Sequence, residues 1–590
     1  MSVAAPELVG HGGWIGIEGE LSLRALRGRV VVVLFWTFAC SKCCRVGDEL
    51  ADLQSRYPDE LAVVGVHCPK FPFAAEHAAV VRAAARLGWP FPVLDDPDMV
   101  TWQQYGIRGW PSVVVVDARG QLVGALPGSD KVALLHQIVG DEVAQQRRLT
   151  QRPGRRPNNP LPLRRARPEP AAVAGLWTFP SKVATDRRGR LAVADTGGDR
   201  VVVATFTGPE SARVTHTISG LRRPHGVRLY GSELVICDTG HDRVVSVDLA
   251  RRPGSDETVT PDAAGIIHLR VLPSEVIATD LEAPLDVVAD VDGSYVVAES
   301  AGQRLWRIPI DGSSAAPIAG DRYEGLVDGP AEEAELAQPS GLTRLPNGLA
   351  WVDAESSSMR MLDGRGRVGS LVGEGLFDWG LRDGRRRQAR LQHPEGIVAA
   401  LDGTSLFVAD TYNHKLRWWR DRRLLTLPAE GLLEPSGLDV LPDGRLLVAD
   451  RARHRIALVD PHSGMVRTLV VDRLNLDGPE PDAAWGEKLR GETNSPLTVP
   501  FSVMLGDFVL DTDTASGIAV RVEIEAEPPA LLATGPRAWT HVATDGSVTV
   551  TAGSIPATGL LTVKVTAAGA NLGARSVCRS VTRHALTIDH

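Results

Sequence analysis

The sequence is poor in cysteine and in long apolar runs, and each shortage excludes a class of protein. Six cysteines in 590 residues are too few for the disulfide framework of a small secreted protein. No stretch approaches the roughly 18 apolar residues that a membrane span needs. The formal net charge of −8 is mild for this length, so it indicates neither nucleic acid nor an anionic membrane as a partner.

The amino-terminal residues also lack the pattern of a secretion signal. Residues 1–16 contain no basic segment followed by an apolar one, so we expect no signal peptide. We therefore predict a cytoplasmic protein, in which a close cysteine pair is redox-active or metal-binding rather than structural. The chain is also too long for one hydrophobic core and should form several domains.

Three of the six cysteines, Cys40, Cys43 and Cys44, lie within five residues. The continuous apolar and β-branched run before them, residues 28–36, is typical of a buried central strand. Apolar residues at the spacing of one helical face follow: Val46, Leu50 and Leu53. The cysteines are therefore predicted at a strand-to-helix turn, in the first turn of the helix.

Residues 1–148 repeat this alternation and form the first predicted domain. Apolar patterns predict further strands at 61–66, 112–117 and 122–126, and helices at 73–88 and 131–143. The last two strands should form an antiparallel hairpin, because only a short polar turn separates them. A β-α-β-α order followed by β-β-α predicts an α/β layered fold.

Three segments resemble the thioredoxin fold in its longer, TlpA-like or redoxin form. They are "FWTFACSKC", "GVHCPKF" (65–71) and "YGIRGWPSVVVVDARGQLVG" (105–124). The resemblance covers most of the first 145 residues. It implies that Pro111 follows a cis peptide bond, faces the cysteines and, with Trp110, positions the substrate.

The position of the cysteines suggests thiol–disulfide exchange. A helix N-terminus stabilises a thiolate, so Cys40, which we expect to be the more exposed thiol, should act as the nucleophile. Cys43, one helical turn on, should resolve the mixed disulfide. Lys42 adds a positive charge that favours the thiolate, and Trp36 is expected to support the site.

Other interpretations of the cysteines remain open. Cys44 and Cys68 could be additional thiols, although we expect both to be inert, and an adjacent Cys43–Cys44 disulfide would be strained. A zinc site would need a second ligand pair, and no second CxxC or HxxxH motif occurs, so we predict no metal. The domain could also be a degenerate structural module. The inner dipeptide, Ser41-Lys42, differs from that of thioredoxin.

Residues 149–170 are predicted to be a linker. The segment is dense in arginine and proline and has almost no aromatic or β-branched residues. Such a composition cannot bury enough apolar surface to fold on its own.

Residues 171–475 contain six copies of one unit. Each copy has a proline followed about 15 residues later by an acidic residue that ends an apolar run. The acidic positions are Asp195, Asp238, Glu299, Asp353, Asp410 and Asp450. A basic residue follows five positions later in all copies except the fourth, which has Ser358 there: Arg200, Arg243, Arg304, Lys415 and Arg455. We expect each pair to join the strands of a hairpin.

Four short strands per unit predict the blades of a β-propeller. The units resemble NHL repeats, most clearly at "YNHKLRW" (412–418), and this resemblance implies six blades. His225, His393 and Asp286 lie near the opening prolines of three blades. We expect them to be too scattered to form a catalytic site, so the propeller should be a binding platform.

Residues 476–590 alternate polar and apolar residues between turns and predict a small β-sandwich-like domain. The three-domain order looks like that of the NHL repeat-containing protein 2 family, in which the CxxC motif lies at the same strand-to-helix turn. That family's biochemical role is poorly defined, so the resemblance implies architecture more than activity.

These patterns lead to one main hypothesis and one rival. The main hypothesis is a thiol–disulfide oxidoreductase-like monomer without a cofactor, which binds protein partners through the propeller and the redoxin groove. The rival is a non-enzymatic scaffold with a degenerate thioredoxin-like module. We also expect the cysteine edge to lie at a cleft between redoxin domain and propeller.

Overall fold

The computed structural model describes residues 3–150, 176–186, 188–251, 259–261, 266–311 and 313–472, and beyond these only strand segments between 484 and 589. Apart from its first two positions, the predicted linker, 149–170, lies outside the described residues.

The first domain is a six-stranded sheet flanked by helices. Its elements in chain order are β1 (Gly13–Ile15), β2 (Val30–Trp36), α1 (Ser41–Arg56), β3 (Leu61–His67), α2 (His77–Leu87), β4 (Val93–Asp95), α3 (Val100–Gln104), β5 (Ser112–Val116), β6 (Leu122–Pro127) and α4 (Val132–Thr150). The strand order is β1-β4-β3-β2-β5-β6. Strand β2 lies parallel to β3 and antiparallel to β5. The predicted thioredoxin-like fold is confirmed.

Strand β2 is buried on both faces, which explains its unbroken apolar sequence. Alternate side chains, such as Val32 and Trp36, enter the core between the sheet and helices α1 and α2. The others, such as Val33 and Phe35, enter the core on the opposite face. This central strand fixes the point where the chain turns into α1.

The element boundaries differ from the predictions in three places. A short 3₁₀ turn, Pro72–Ala75, precedes α2, so this helix begins at His77 rather than at 73. Helix α4 continues to Thr150 instead of ending at 143. The pattern analysis missed β1, β4 and α3, which have three, three and five residues and are too short to establish a period.

The middle of the chain forms six blades, as predicted, and each is built on at least four antiparallel strands. Blade 1 contains β7 (Pro180–Thr185), β8 (Arg190–Asp195), β9 (Arg200–Gly208) and β10 (Ser211–Ser219). Blade 2 begins with β11 (Val227–Tyr230), β12 (Glu233–Asp238) and β13 (Arg243–Asp248). The chain then adds β14 (Val259–Pro261) and β15 (Ile267–Arg270) to the edge of blade 1, before β16 (Val276–Ala278) completes blade 2.

The remaining four blades repeat the pattern. Blade 3 contains β17 (Pro284–Ala289), β18 (Tyr295–Glu299), β19 (Arg304–Ile308) and β20 (Ala316–Ala319). Blade 4 contains β21 (Gly329–Pro330), β22 (Pro339–Leu345), β23 (Gly348–Asp353), β24 (Ser358–Asp363) and β25 (Arg367–Val372). Blade 5 contains β26 (Gly384–Arg385), β27 (Gly396–Ala399), β28 (Leu406–Asp410), β29 (Lys415–Arg420) and β30 (Arg423–Thr426). Blade 6 contains β31 (Pro435–Val440), β32 (Leu446–Asp450), β33 (Arg455–Val459) and β34 (Val466–Thr468).

The ring closes where its last blade meets its first. Strand β31 of blade 6 packs beside β7 of blade 1. The following strand, β35 (Val470–Asp472), pairs in parallel with the outer strand β10 of blade 1. The two ends of the propeller are therefore joined at both the inner and the outer edge.

Four blades contain the predicted acid–base pair within one hairpin. The pairs are Asp195–Arg200 (2.7 Å), Asp238–Arg243 (2.7 Å), Glu299–Arg304 (2.8 Å) and Asp450–Arg455 (2.7 Å). Each carboxylate is fully buried and each arginine lies half-buried beside it. The pair ties two adjacent strands where the chain reverses.

The prediction was wrong for blade 5 and incomplete for blade 4. Asp410 pairs with Arg417, seven positions on, at 2.6 Å, whereas Lys415 contacts the exposed Glu430. In blade 4 Asp353 likewise pairs with Arg360, at 3.0 Å. The acid and the arginine are seven rather than five positions apart because the arginine lies two residues further along β24 or β29. Side chains two residues apart in a strand point to the same face, so the arginine still reaches the carboxylate.

The centre of the propeller is crowded at the second residue after each opening proline. Four blades have glycine here, and a Cβ at Gly437 would lie 2.4 Å from the Ser181 carbonyl oxygen of the next blade. Blades 1 and 3 instead have Lys182 and Asp286, whose charged groups lie 3.7 Å apart. Asp286 is thus part of a buried ion pair that crosses the channel, not an isolated residue.

The carboxyl-terminal strands are described only by their backbone. They are β36 (Ala484–Trp485), β37 (Leu489–Glu492), β38 (Pro496–Pro500), β39 (Ile518–Glu527), β40 (Arg537–Trp539), β41 (Ser547–Thr551), β42 (Ala557–Gly569) and β43 (Val577–Asp589). One sheet has the order β36-β43-β42-β39-β40, and β38 pairs with β41. The predicted β-rich character of 476–590 is present, while the packing of its side chains lies outside the described residues.

Candidate functional site

The cysteine pair lies at the predicted strand-to-helix turn. Cys40 is the N-cap residue of α1, and its sulfur accepts a hydrogen bond from the backbone N–H of Cys43 at 3.1 Å. Both residues are free thiols. A thiol at an N-cap takes the place usually filled by a serine or aspartate oxygen, where the unpaired N–H groups stabilise negative charge.

Cys40 is the more exposed residue of the CxxC pair, as expected, but it is itself buried. Its exposed fraction is 8%, that of Cys43 is 0%, and Cys44 is the more accessible of the three. The cause is the propeller, which covers the first turn of α1. The thiols therefore lie in the interface between the two domains, at the cleft where the sequence placed them, but beneath its surface.

Polar contacts attach the first turn of α1 to blades 3 and 4. The backbone N–H and the hydroxyl of Ser41 both donate to Oε1 of Gln338 at 2.7 Å. The Ser41 hydroxyl also lies 2.6 Å from that of Ser300. A side chain of the propeller thus satisfies an N-terminal N–H group of the redoxin helix.

Aromatic packing joins the same surfaces. The ring of Tyr412 in blade 5 stacks on Phe73 with centroids 4.3 Å apart, and it lies 5.4 Å from Phe38. Tyr412 is 6% exposed and belongs to the hydrophobic core that contains Cys40 and Cys43. The propeller therefore contributes a residue to the core of the redoxin domain.

Charged residues complete the interface. They form ion pairs between the two domains: Arg45–Asp242 (2.7 Å), Arg222–Asp52 (2.9 Å), Lys70–Glu324 (3.1 Å), Arg82–Glu434 (2.9 Å), Lys70–Glu355 and Arg223–Asp48. Burial raises the pKa of Glu355 to about 7, against the opposing effect of Lys70. Glu355 also accepts a hydrogen bond from Gln338, so the ionic and capping contacts form one network.

The thiols differ in their electrostatic surroundings. Burial and the hydrogen bond to Cys40 raise the pKa of Cys43. Burial also raises the pKa of Cys68, and that of Cys44 to about 11, although Arg223 opposes the shift at Cys44. Low thiolate content disfavours Cys43, Cys44 and Cys68 as nucleophiles.

The supporting residues lie around the pair. The Trp110–Pro111 peptide bond is cis, as the resemblance implied, and the indole of Trp110 donates to the Cys68 carbonyl at 3.0 Å. Trp36 is fully buried and packs against Trp89, with ring centroids 4.7 Å apart. Lys42 is partly exposed on α1.

Sequence reasoning missed the contributions of the propeller to this site. No pattern distinguishes Gln338, Ser300 or Tyr412 from other blade residues, because their role depends on how the two domains dock. His67 was also missed: it is fully buried at the end of β3, with its ring stacked on Phe38 at 5.3 Å. The only available signal was its position before Cys68 in the "GVHCPKF" segment.

The described residues contain neither a metal-binding cluster nor a membrane-spanning helix. Among them, no group of three or more histidine, cysteine, aspartate or glutamate side chains is arranged to hold a metal ion. No helix in this part of the chain is long and apolar enough to cross a membrane.

Two family models match the chain. The AhpC/TSA family matches residues 4–125, and the NHL repeat matches residues 432–457. NHL repeat-containing protein 2 of Gallus gallus is 28% identical over 550 residues, which cover 81% of this chain and 72% of the relative. The chain is a homologue of NHL repeat-containing protein 2.

Further relatives match larger or smaller parts of the chain. Protein SUPPRESSOR OF QUENCHING 1, chloroplastic, of Arabidopsis thaliana is 27% identical over 84% of the chain, but the match covers only half of the plant protein. Thiol-disulfide oxidoreductase YkuV of Bacillus subtilis (strain 168) is 26% identical over 24% of the chain and 94% of its own length. The match to the plant protein is long enough to include parts of both the redoxin domain and the propeller. The match to the Bacillus protein spans 141 residues, which is about the length of the redoxin domain.

Proposed function

We propose that the chain carries out thiol–disulfide exchange through Cys40 and Cys43. The observation that carries the proposal is the N–H of Cys43 donating to the Cys40 sulfur at the start of α1. It places a backbone N–H donor on the sulfur that would attack a disulfide. The relative named as a thiol-disulfide oxidoreductase, which matches 24% of the chain, also supports this activity.

The two thiols take different parts in the reaction. The Cys40 thiolate attacks a substrate disulfide, forms a mixed disulfide and releases one substrate thiolate, which takes up a proton. Cys43 then loses its proton and attacks the Cys40 sulfur, which releases the second substrate thiol. The substrate gains two electrons and the chain is left with a Cys40–Cys43 disulfide, which an external dithiol reduces. The reverse sequence oxidises a dithiol. A reducing compartment such as the cytoplasm suits the first direction.

We further propose that the propeller selects what reaches these thiols. Since Cys40 is 8% exposed beneath blades 3 to 5, a protein substrate gains access only when the domains separate. Large apolar side chains are exposed on the segments that lead into blades 4 and 5, including Tyr323 and Phe377. Such residues suit a protein-binding platform.

Trapping of mixed disulfides tests the exchange activity. In the full chain, Cys43→Ser removes the resolving thiol, so substrates should remain attached to Cys40 and be released by reductant. The double variant Cys40→Ser, Cys43→Ser is the matched control and should trap nothing. Cys44→Ser added to the trapping variant should leave the yield unchanged. Equal trapping with and without Cys40 would contradict the proposal.

One observation favours the rival scaffold function, namely the burial of Cys40. A scaffold would keep its binding partners in the Cys40→Ser, Cys43→Ser variant, and the wild-type chain would form no Cys40–Cys43 disulfide under a small-molecule oxidant. Mass mapping of that disulfide after oxidation of the native chain therefore separates the two functions.

A further inference from the structure

A ring of hydrogen bonds joins each blade of the propeller to the next. The residue before the opening proline of a blade donates its backbone N–H to a side chain of the preceding blade, four positions after that blade's buried acidic residue. These bonds, called joints below, run from Arg223 to Asp199 (2.7 Å), Ala283 to Asp242 (3.0 Å), Gln338 to Gln303 (2.6 Å), His393 to Ser357 (3.0 Å), Glu434 to His414 (3.1 Å) and Phe179 to His454 (3.1 Å). The last of them connects blade 6 to blade 1, so the joints run around the whole propeller.

The joints hold a strained backbone in place. All of the donor and acceptor residues have a positive φ, between 44° and 58°, a region that residues other than glycine rarely occupy. Such conformations persist only where the surrounding contacts hold them. Two of the donors, Glu434 and Phe179, are 2% and 3% exposed. An N–H group that loses its acceptor at these positions is therefore also kept from water, which is costly.

The acceptors respond differently to acid. Blade 6 is held by histidine on both sides, by His414 of blade 5 and by its own His454 towards blade 1. A backbone N–H only donates, so Nδ1 of each ring carries no proton in a closed joint. An imidazolium ion has a proton on both nitrogens and cannot accept. The amide of Gln303 and the hydroxyl of Ser357 accept at any pH, and aspartates stay charged down to about pH 4.

The surroundings of His414 favour its neutral form. Burial lowers the pKa of His414, and Arg82 of the redoxin domain lowers it further, against the opposing effects of Glu434 and Glu76. The groups that face this histidine thus come from blade 6 and from the start and middle of helix α2.

His454 has an aromatic neighbour across the joint and arginines along its own chain. Its ring lies against Phe179 of blade 1, with centroids 4.2 Å apart. It follows the 3₁₀ turn Arg451–Arg453 and precedes Arg455, which is paired with Asp450. Positive neighbours disfavour a further positive charge on the imidazole.

We propose that blade 6 is acid-sensitive, because protonation of His414 and His454 breaks both of its joints and loosens it from blades 5 and 1. A histidine released from its joint takes up a proton below about pH 6.5, so the joints are stable above that pH and weaken as the pH falls. Glu434 also receives Arg82 and Arg86 of the redoxin domain, so the loosening extends to the domain interface. The proposal does not depend on redox activity at Cys40.

Hydrogen exchange of the full chain, corrected for the intrinsic rate at each pH, tests this proposal. Between about pH 7.5 and about pH 5, the amides of Glu434 and Phe179 should lose protection roughly tenfold, because the opened histidines take up protons. The amides of Ala283 and Gln338, whose acceptors are aspartate and glutamine, should keep theirs. An equal acid-dependent loss at all of these amides would overturn the proposal.

A double variant provides the matched control. His414→Ser with His454→Ser copies the hydroxyl acceptor that Ser357 supplies in blade 4 and removes both titrating groups. It should match the wild type at the higher pH and keep the protection of Glu434 and Phe179 at the lower one. An acid-dependent loss that persists in this variant would show that the two histidines are not its cause, and the proposal would fail.

A second variant covers the case that the double variant does not fold. Asp199 is an exposed acceptor in the joint between blades 1 and 2, so Asp199→His has room for the larger ring. The amide of Arg223 should then lose protection in acid roughly tenfold, as Glu434 does in the wild type. Full protection of Arg223 at the lower pH would show that a histidine joint does not respond to acid, and would overturn the proposal.

Discussion

At the scale of single residues, the site is governed by what covers Cys40. Its sulfur is held at the N-terminus of α1, and the neighbouring Ser41 is bonded to Gln338 of the propeller. The chemistry of the thiol and its accessibility are therefore controlled by different domains.

Removing the Gln338 side chain should increase the reactivity of Cys40. Gln338→Ala deletes the acceptor for the Ser41 N–H and hydroxyl, which costs about 1 kcal/mol of the docking free energy and makes transient opening roughly fivefold more frequent. Mass-mapped alkylation of the native chain should show Cys40 reacting faster by that factor. The exposed Gln388→Ala is the control, and Cys68 serves as an internal reference. An unchanged Cys40 rate would mean that alkylation does not require domain opening.

The buried ring of His393 should make stability depend on pH. Its pKa is about 4 in the folded chain, against 6.5 for an ordinary histidine. The unfolded chain therefore binds more protons between these values, and stability present above pH 6.5 is lost as the pH falls towards 4, by about 3 kcal/mol. His393→Asn is non-titratable and tolerates the backbone φ of 50° at this position. Urea unfolding should give a wild-type-minus-variant difference that shrinks between pH 7 and pH 4.5; a constant difference would contradict the linkage.

At the scale of secondary-structure elements, the propeller depends on buried ion pairs that tie adjacent strands. Arg417 is fully buried and bonds both Asp410 and Asp383, at 2.6 and 2.8 Å. Lys415, at the position where four other blades have the pairing arginine, contacts only the exposed Glu430 among the described carboxylates.

These two residues provide a matched comparison in one strand. Arg417→Ala leaves Asp410 charged, buried and without its arginine, so the free energy of unfolding should fall by about 3 to 5 kcal/mol. Lys415→Ala removes a surface pair and should cost less than about 1 kcal/mol. Thermal or urea unfolding of both variants checks the difference. If both variants lose a similar amount of unfolding free energy, Arg417 is not the residue that stabilises this hairpin in preference to Lys415.

The elements that could be predicted from sequence are those with a long or repeated pattern. Strand β2, helix α1 and the six blades each repeat an apolar period often enough to be recognised, and the cysteines were correctly placed at the start of α1, where it follows β2. The pairing of Asp410 with Arg417 instead of Lys415 could not be predicted. Both basic residues lie on the same face of the strand, and only packing decides which of them is buried. The burial of Cys40 depends on contacts with residues about 300 positions away, which local patterns do not record.

At the scale of the whole molecule, redoxin domain and propeller behave as one packed body in which Tyr412 is the central aromatic contact. Its ring stacks on Phe73 and lies near Phe38 and His393. Ion pairs join the same two domains, and some of them, such as Arg82–Glu434, have a buried carboxylate, so buried charge and apolar packing occur together in the interface.

Truncating Tyr412 should loosen the docking without unfolding either domain. Tyr412→Ala removes a buried ring and should cost about 3 kcal/mol at the interface. Hydrogen exchange should increase in residues 40–44 and 71–76 of the redoxin domain, while strand β2 and the inner strands of the blades keep their protection. Tyr323→Ala, at an exposed tyrosine, should change neither region. Loss of protection throughout β2 would show instead that the redoxin core cannot exist without the tyrosine.

The position of Tyr412 in this core also has a consequence for the order of synthesis. The aromatic surface of Phe38 and Phe73 leaves the ribosome about 340 residues before the ring that covers it. At 5 to 20 residues per second, the delay is roughly 20 to 70 s. During that interval the nascent chain exposes this aromatic surface next to two free thiols. Chaperones can therefore bind the surface, and oxidants can react with the thiols, before the propeller covers them.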